Sequence, residues 1–116
     1  MANPLVIRPI GPTMGLSVVA TSHAAATITI NGNETCNYVY VVNSSSTLAV
    51  SVNFTLTGLA AVLPGDGTTG NFMLPPASAT IMTVPNGVGA NPLQVTAIAS
   101  AAGPTLVTVT PIGIQT

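Results

Sequence analysis

The sequence has 116 residues, of which only Arg8, Glu34 and Asp66 belong to the charged types. Charged residues make up 3% of the chain, against roughly a quarter of an average protein, while the hydrophobic content is 47%. A net charge of −1 excludes the basic surface that binding to nucleic acid or to an anionic membrane requires.

No run of about 18 consecutive apolar residues occurs, so no membrane-spanning helix is predicted. The opening segment MANPLVIRPIG lacks a basic start and carries Arg8 inside its apolar run, so we do not expect a signal peptide. The single cysteine, Cys36, excludes a disulfide within the chain, and we predict that it is a buried small hydrophobic residue.

The composition predicts an all-β fold. Val, Ile and Thr favour pleated sheet, and ten Pro and eleven Gly divide the chain into short segments. The length suits one domain. We therefore predict a single-domain β-sandwich or jelly-roll-like antiparallel barrel of about eight strands.

In chain order, the N-terminal part begins with LVIRPI. Because Pro9 interrupts this segment, we predict that it is an edge strand or an extended arm. GLSVVAT and ATITI alternate in the manner of strands. The segment NGNE after them is interpreted as a hairpin turn with Gly32 at a positive φ. CNYVYVV is apolar on both faces, which is typical of a central strand covered on both sides.

The C-terminal part begins after the turn NSSS, where TLAVSVNFT has the cleanest alternation in the chain. LPGDGTTG is predicted to be a loop, and NFMLPP a short strand ended by Pro75 and Pro76. ATIMTV is a further strand, closed by a PNG turn at Asn86 and Gly87. LQVTAIAS and TLVTVT are expected to pair across AAGP, before the tail PIGIQT.

These strands predict three segments and a core. Residues 1–14 are an N-terminal arm or edge strand, 15–111 the sandwich domain and 112–116 a C-terminal tail. The side chains expected to face the core are Leu16, Val18, Ile28, Ile30, Tyr38, Tyr40, Leu48, Val50, Val52, Phe54, Ile81, Leu93, Val95, Val107 and Val109.

The titratable residues do not form a recognisable catalytic or metal-binding motif. Glu34 and Asp66 both lie in glycine-rich turns, where a carboxylate usually serves as a solvated turn former. His23 lacks a nucleophile elbow, and one histidine with one cysteine cannot complete a zinc site within one chain. A trimer would bring three copies of His23 together, but a turn histidine is the favoured interpretation. We predict no enzyme activity, no cofactor and no metal.

The lack of charge favours assembly with other subunits. Burying a charge is costly, whereas a hydroxyl group recovers its smaller cost through a hydrogen bond. Charged residues are depleted at the centres of protein interfaces, and a nearly neutral chain has little repulsion between copies. A weakly charged monomer with threonine-rich faces is the alternative.

Several strand and turn signals recur over about the last two-thirds of the chain: Val42-Asn43, Pro75-Pro76, Val84-Pro85, Gly87, Ala97 to Ser100, and Val109 to Pro111. Together they resemble the signals of small tailed-bacteriophage virion proteins. An alanine, Ala77, stands where such proteins often have a glycine after two prolines.

This resemblance implies a capsid decoration, or cement, protein. Such a protein is made in the host cytoplasm, binds the major capsid protein on the virion surface, and assembles as a homotrimer. The arm and tail would then contact the partner, unless they are ordinary edge strands. The candidate interface residues are Leu5, Val6, Ile7, Arg8, Ile10, Ile112 and Ile114.

Two alternatives remain open. One is another virion component, such as a head-fibre or tail protein. The other is a carbohydrate-binding adhesin module, for which Tyr38 and Tyr40 are the candidate aromatic platform. The alternation places both tyrosines inward in a central strand, which favours the virion interpretation.

Overall fold

The computed structural model of the chain describes residues 6–32, 34–86 and 92–115. These residues form two antiparallel sheets with nine strands and no helix, which confirms the predicted all-β class. They therefore include no helix that could cross a membrane. The strands are β1 (Val6–Pro9), β2 (Met14–Val18), β3 (Ala26–Thr27), β4 (Tyr38–Asn43), β5 (Val50–Thr55), β6 (Phe72–Leu74), β7 (Ser78–Thr83), β8 (Gln94–Ala99) and β9 (Thr105–Gln115).

The five-stranded sheet is centred on the long strand β9. One side of β9 pairs with β2 and then, farther along, with β1, while its other side pairs with β4, which in turn pairs with β7. The second sheet has the order β3-β8-β5-β6. The described strands thus form an open sandwich in which the sheets are not joined at their edges.

The core lies between the two sheets and consists mainly of valines. Val39, Val41, Val107 and Val109 come from the five-stranded sheet, and Val95 comes from the other; all five are fully buried. Complete burial of such a side chain stabilises the fold by about 1.5–3 kcal/mol relative to exposure. The core predictions that are confirmed as buried are Leu16, Val18, Ile28, Val50, Val52, Leu93, Val95, Val107 and Val109.

Three core predictions were wrong because they chose the wrong face of a strand. Tyr38 and Tyr40 of β4 are partly exposed, whereas the alternate residues Val39 and Val41 are buried. Ile81 lies opposite Tyr40 and shares its side of the sheet. Two further predicted residues, Ile30 and Phe54, are only partly buried but pack against the core. The remaining one, Leu48, is partly buried.

The predicted local pairings were also wrong. The turn at Asn31–Glu34 closes with a hydrogen bond from the Glu34 N–H to the Asn31 carbonyl (3.2 Å), and Gly32 has the expected positive φ of 53°. However, it joins β3 of one sheet to β4 of the other and is not a hairpin. Likewise, β8 and β9 lie in different sheets and do not pair.

Most connections cross between the sheets in this way, and β5–β6 is the one consecutive pair of described strands that is hydrogen bonded. The long-range pairing brings the two ends of the chain together, since β1 pairs with the end of β9. The predicted boundary between residues 111 and 112 falls inside β9. Gly87 of the predicted PNG turn lies outside the described residues.

Two further residues adopt informative conformations. Cys36 is buried in the core cluster, as predicted, and its thiol donates a hydrogen bond to the Tyr38 carbonyl (3.2 Å). Ala77, which follows the two prolines, has a φ of 51°. This left-handed conformation is normally occupied by glycine. The chain therefore adopts the glycine-type turn at Ala77 although it has an alanine there.

Candidate functional site

The candidate site is the side of the five-stranded sheet that faces away from the core, which we call the outer face. Side chains that pair across neighbouring strands point to the same side of a sheet, so the register defines this face. Its central residues are Tyr38, Tyr40, Val42, Ala79, Ile81, Thr83, Leu106, Thr108, Thr110 and Ile112.

Strand β4 supplies the aromatic centre of the outer face. Tyr40 lies between Ile81 on β7 and Thr110 on β9, and Tyr38 lies between Thr83 and Ile112 on the same strands. Ile112 is only 1% exposed, although it is not part of the core cluster between the sheets. The tyrosines thus stand over an apolar residue of β9 and keep part of their own surface accessible.

The neighbouring side chains are apolar or carry hydroxyl groups. Thr110 shares a hydrogen bond with the Thr13 hydroxyl (2.6 Å), which ties the segment between β1 and β2 to the face. Leu106 at one end of β9 is half exposed. This composition suits a surface that is covered by another molecule.

The outer face contains no charged residue. Arg8 of β1 pairs with Gly113, one residue beyond Ile112, and therefore points to the other side of the sheet. There it forms a bidentate ion pair with Glu34 at 3.0 and 3.3 Å. The hydrogen bond and the charge of Arg8 lower the pKa of Glu34 from its ordinary value, and Glu34 raises the pKa of Arg8.

Asp66 and His23 lie away from this face as well. Asp66 occupies the tip of a tight turn in which Gly65 and Thr68 exchange backbone hydrogen bonds, as expected for a turn former. His23 lies between β2 and β3, and its Nδ1 is 2.7 Å from the Ala24 carbonyl oxygen. In the described part of the chain, no three His, Cys, Asp or Glu side chains are grouped as a metal site requires.

A buried asparagine fixes one end of the outer face. Asn43, the last residue of β4, is 1% exposed, and its amide nitrogen donates to the carbonyls of Leu48 (2.8 Å), Leu74 (3.2 Å) and Pro75 (3.1 Å). Its oxygen accepts a hydrogen bond from the Ser45 N–H (3.1 Å). One side chain thus joins the β4–β5 crossing to the β6–β7 crossing.

The structure describes six of the seven predicted interface residues, which lie in β1, directly after it, or in β9. Leu5 lies outside the described residues. Val6 and Ile7 are exposed in β1, and Ile114 opposite Ile7 is partly exposed. Ile10 and Ile112 are buried within the chain. The arm and the tail therefore pair with each other but keep exposed apolar side chains, and their contact with a partner stays a prediction.

Sequence reasoning missed the outer face because it placed both tyrosines in the core. One sequence signal pointed the other way: a tyrosine hydroxyl needs water or a partner, so Val39 and Val41 are the easier residues to bury.

Comparisons of the chain with protein-family models, curated proteins and solved structures gave no significant match.

Proposed function

We propose that this protein is a structural component of a tailed-phage particle, a decoration protein that binds the outer surface of the capsid as a homo-oligomer. Its partners are the major capsid protein and other copies of itself. Its role is to add buried area across the junctions between capsid subunits. The proposal assigns no catalytic step to the chain.

The observation that carries the proposal is the uncharged outer face. It is formed by one side of β1, β2, β4, β7 and β9, which have 4, 5, 6, 6 and 11 residues, 32 in all. With about 4.8 Å between strands and about 3.4 Å per residue, its area is roughly 500 Å². A stable protein interface buries about 800 Å² per partner. The face thus supplies more than half of the area that one specific contact needs.

The resemblance to phage virion proteins gives the proposal its biological setting. Two of the segments that carry it, Val42-Asn43 and Pro75-Pro76, come together in the fold through the hydrogen bond from Asn43 to the Pro75 carbonyl. A third segment contains β8 residues that build the core, including Ala97 and Ala99. These signals therefore belong to the framework that supports the outer face.

The proposal is tested by binding to capsids. Purified particles that lack the protein are mixed with the wild type, and bound protein is measured after sedimentation. We expect saturation at a fixed ratio to the major capsid protein. Thr108→Lys places a charge in the middle of the outer face and should weaken binding, whereas Thr57→Lys, at an exposed site in the loop after β5, should not. Absence of saturable binding would refute the proposal.

A second candidate function is carbohydrate binding, which the position of the tyrosines favours. Tyr38 and Tyr40 lie on one face about 6.8 Å apart along β4, so their rings are available to stack on a sugar. Carboxylates that usually accompany such platforms are lacking on the described outer face, which is why capsid binding is preferred. A glycan-binding screen with Tyr40→Ala as its control separates the two functions.

A further inference from the structure

The outer edge of β7 is the longest uninterrupted free edge among the described strands. β7 pairs with β4 on one side, and within the described residues no strand pairs with its other side. The strand has six residues, Ser78–Thr83, and contains no charged residue and no proline. Natural sheets usually protect such an edge, because an open edge recruits another strand.

The other sheet edges carry the protection that β7 lacks. The opposite edge of the same sheet is divided between β1 and β2, and β1 contains Arg8 and Pro9. In the second sheet, β3 has two residues, and β6 has three before Pro75. Interruption, charge, proline and short length are the usual devices that prevent edge pairing.

The register identifies the free groups on the β7 edge. The Val84 N–H donates to the Asn37 carbonyl (3.0 Å), so these two opposed residues form a hydrogen-bonded pair. In an antiparallel ladder, hydrogen-bonded pairs alternate with pairs that are not hydrogen bonded, so every second residue of β7 before Val84 bonds to β4. Met82, Thr80 and Ser78 thus point their backbone groups at β4. The N–H and C=O groups of Ala79, Ile81 and Thr83 point outward.

We infer that the β7 edge pairs with the β7 edge of a second copy of this chain, antiparallel and centred on Ile81. In this register Ile81 meets its own counterpart, and Ala79 meets Thr83 of the second copy. Three N–H groups from each copy then form six hydrogen bonds across the two-fold axis. The two five-stranded sheets become one continuous sheet.

The side chains fit this arrangement. On the outer face, a β-branched pair forms at Ile81 and is flanked by small Ala79–Thr83 pairs, which favours antiparallel pairing. No like charges meet, because β7 has none.

This inference rests on the homo-oligomer of the proposed function and specifies its contact. A contact that uses the same strand on both copies closes as a dimer. It therefore differs from the trimer that the resemblance implies. Because the experiment uses the isolated chain, edge pairing and capsid binding succeed or fail independently.

The first test is sedimentation equilibrium of the wild type and three variants. We expect a wild-type dimer. Ile81→Pro removes an N–H that bonds to no other group among the described residues, so the fold is retained while two intermolecular hydrogen bonds are lost. Dimer dissociation should become about 10- to 100-fold easier. Ile81→Lys sets two ammonium groups opposite each other, so the dimer should weaken most at low salt.

Thr108→Lys is the matched control, because it adds the same charge to the outer face two strands away from the β7 edge. It should leave the dimer unchanged. A wild-type monomer or trimer would overturn the inference. The inference would also be overturned if Thr108→Lys dissociated the dimer and Ile81→Lys did not, because that dimer would form through the outer face and not through the β7 edge.

Amide hydrogen exchange gives a second test that does not depend on a variant folding. The amides of Ala79, Ile81 and Thr83 should be protected in the dimer and should lose protection on dilution, while those of Thr80 and Met82 stay protected throughout. Fast exchange of the first three amides at every concentration would contradict the inference. Protection gained only on capsids would assign the β7 edge to a capsid strand instead.

Discussion

Replacing Ala77 by glycine should stabilise the protein, which is the reverse of the usual effect of introducing glycine. Ala77 has a φ of 51° in the turn between β6 and β7, and its N–H donates to the Ser45 carbonyl (2.7 Å). A residue with a Cβ pays about 1–2 kcal/mol for this conformation, whereas glycine adopts it freely. The hydrogen bond uses the backbone and is retained.

The stability gained by Ala77→Gly is reduced by about 0.4–1 kcal/mol, because glycine has greater conformational freedom in the unfolded chain. The net expectation is a rise of about 0.5–1 kcal/mol in the free energy of unfolding. For a domain of this size, that corresponds to an increase of about 2–5 °C in Tm. Tm should be measured by circular dichroism at one fixed protein concentration, because association also shifts it.

Ala60→Gly is the matched control. Ala60 is also exposed and outside the strands, and among the described non-glycine residues only Ala77 has a positive φ. At Ala60 the same substitution should therefore lower the stability by up to about 1 kcal/mol. If Ala77→Gly lowers Tm by as much as Ala60→Gly does, the argument from backbone strain is refuted.

Three further predictions concern polar and ionisable side chains. Asn43→Asp should lower the free energy of unfolding by at least about 3 kcal/mol at neutral pH, because a carboxylate would face three carbonyl oxygens. This loss should shrink as the pH falls and the carboxyl group gains a proton. Urea unfolding checks this, with Asn53→Asp as a partly exposed control. Because the pKa of Glu34 is lowered in the folded state, this group contributes stability that is present above its pKa in the unfolded chain and is lost as the pH falls through its pKa in the folded chain. An NMR titration should show that Arg8→Gln returns the pKa of Glu34 toward its ordinary value. An unchanged titration midpoint would disprove the coupling between Arg8 and Glu34. Burial raises the pKa of the Cys36 thiol, so a thiol reagent should modify it slowly at neutral pH and rapidly after unfolding; equal rates would contradict its place in the core.

The strand content was predictable from sequence, but the choice of face was predictable only where a strand has one apolar side. In β5, Val50 and Val52 alternate with more polar residues, and both are buried as predicted. In β4, both sides are apolar, so alternation could not decide between Tyr40 and Val41. The decision depends on how much volume fits between the sheets, which is a property of the whole fold.

The pairing of strands could not be predicted from local turn signals. The turn at Gly32 was identified correctly, and yet it links two sheets. A turn residue specifies the local backbone but not the strand that lies beside it. Asn43 shows the same limit: its position after Val42 was visible, while its bonds to Leu74 and Pro75 depend on chain 31 and 32 residues away.

The candidate site was therefore only partly accessible to sequence reasoning. The absence of charge was evident in the sequence, and it predicted an uncharged contact surface without locating it. That this surface is the face around Tyr40, and that β7 provides the open edge, follows from the sheet order. The segments near the ends of the chain, which the sequence favoured as contact segments, pair with each other, and their contact with a partner is still a prediction.

The central claim is that this chain lacks charge because its surface is buried against other subunits. Sedimentation velocity of the wild type from about 0.01 M to about 1 M salt tests it most directly, since the Debye length falls from about 30 Å to about 3 Å over that range. The account predicts one assembled species whose sedimentation coefficient does not change with salt. A stable monomer at micromolar concentration under all of these conditions would contradict it.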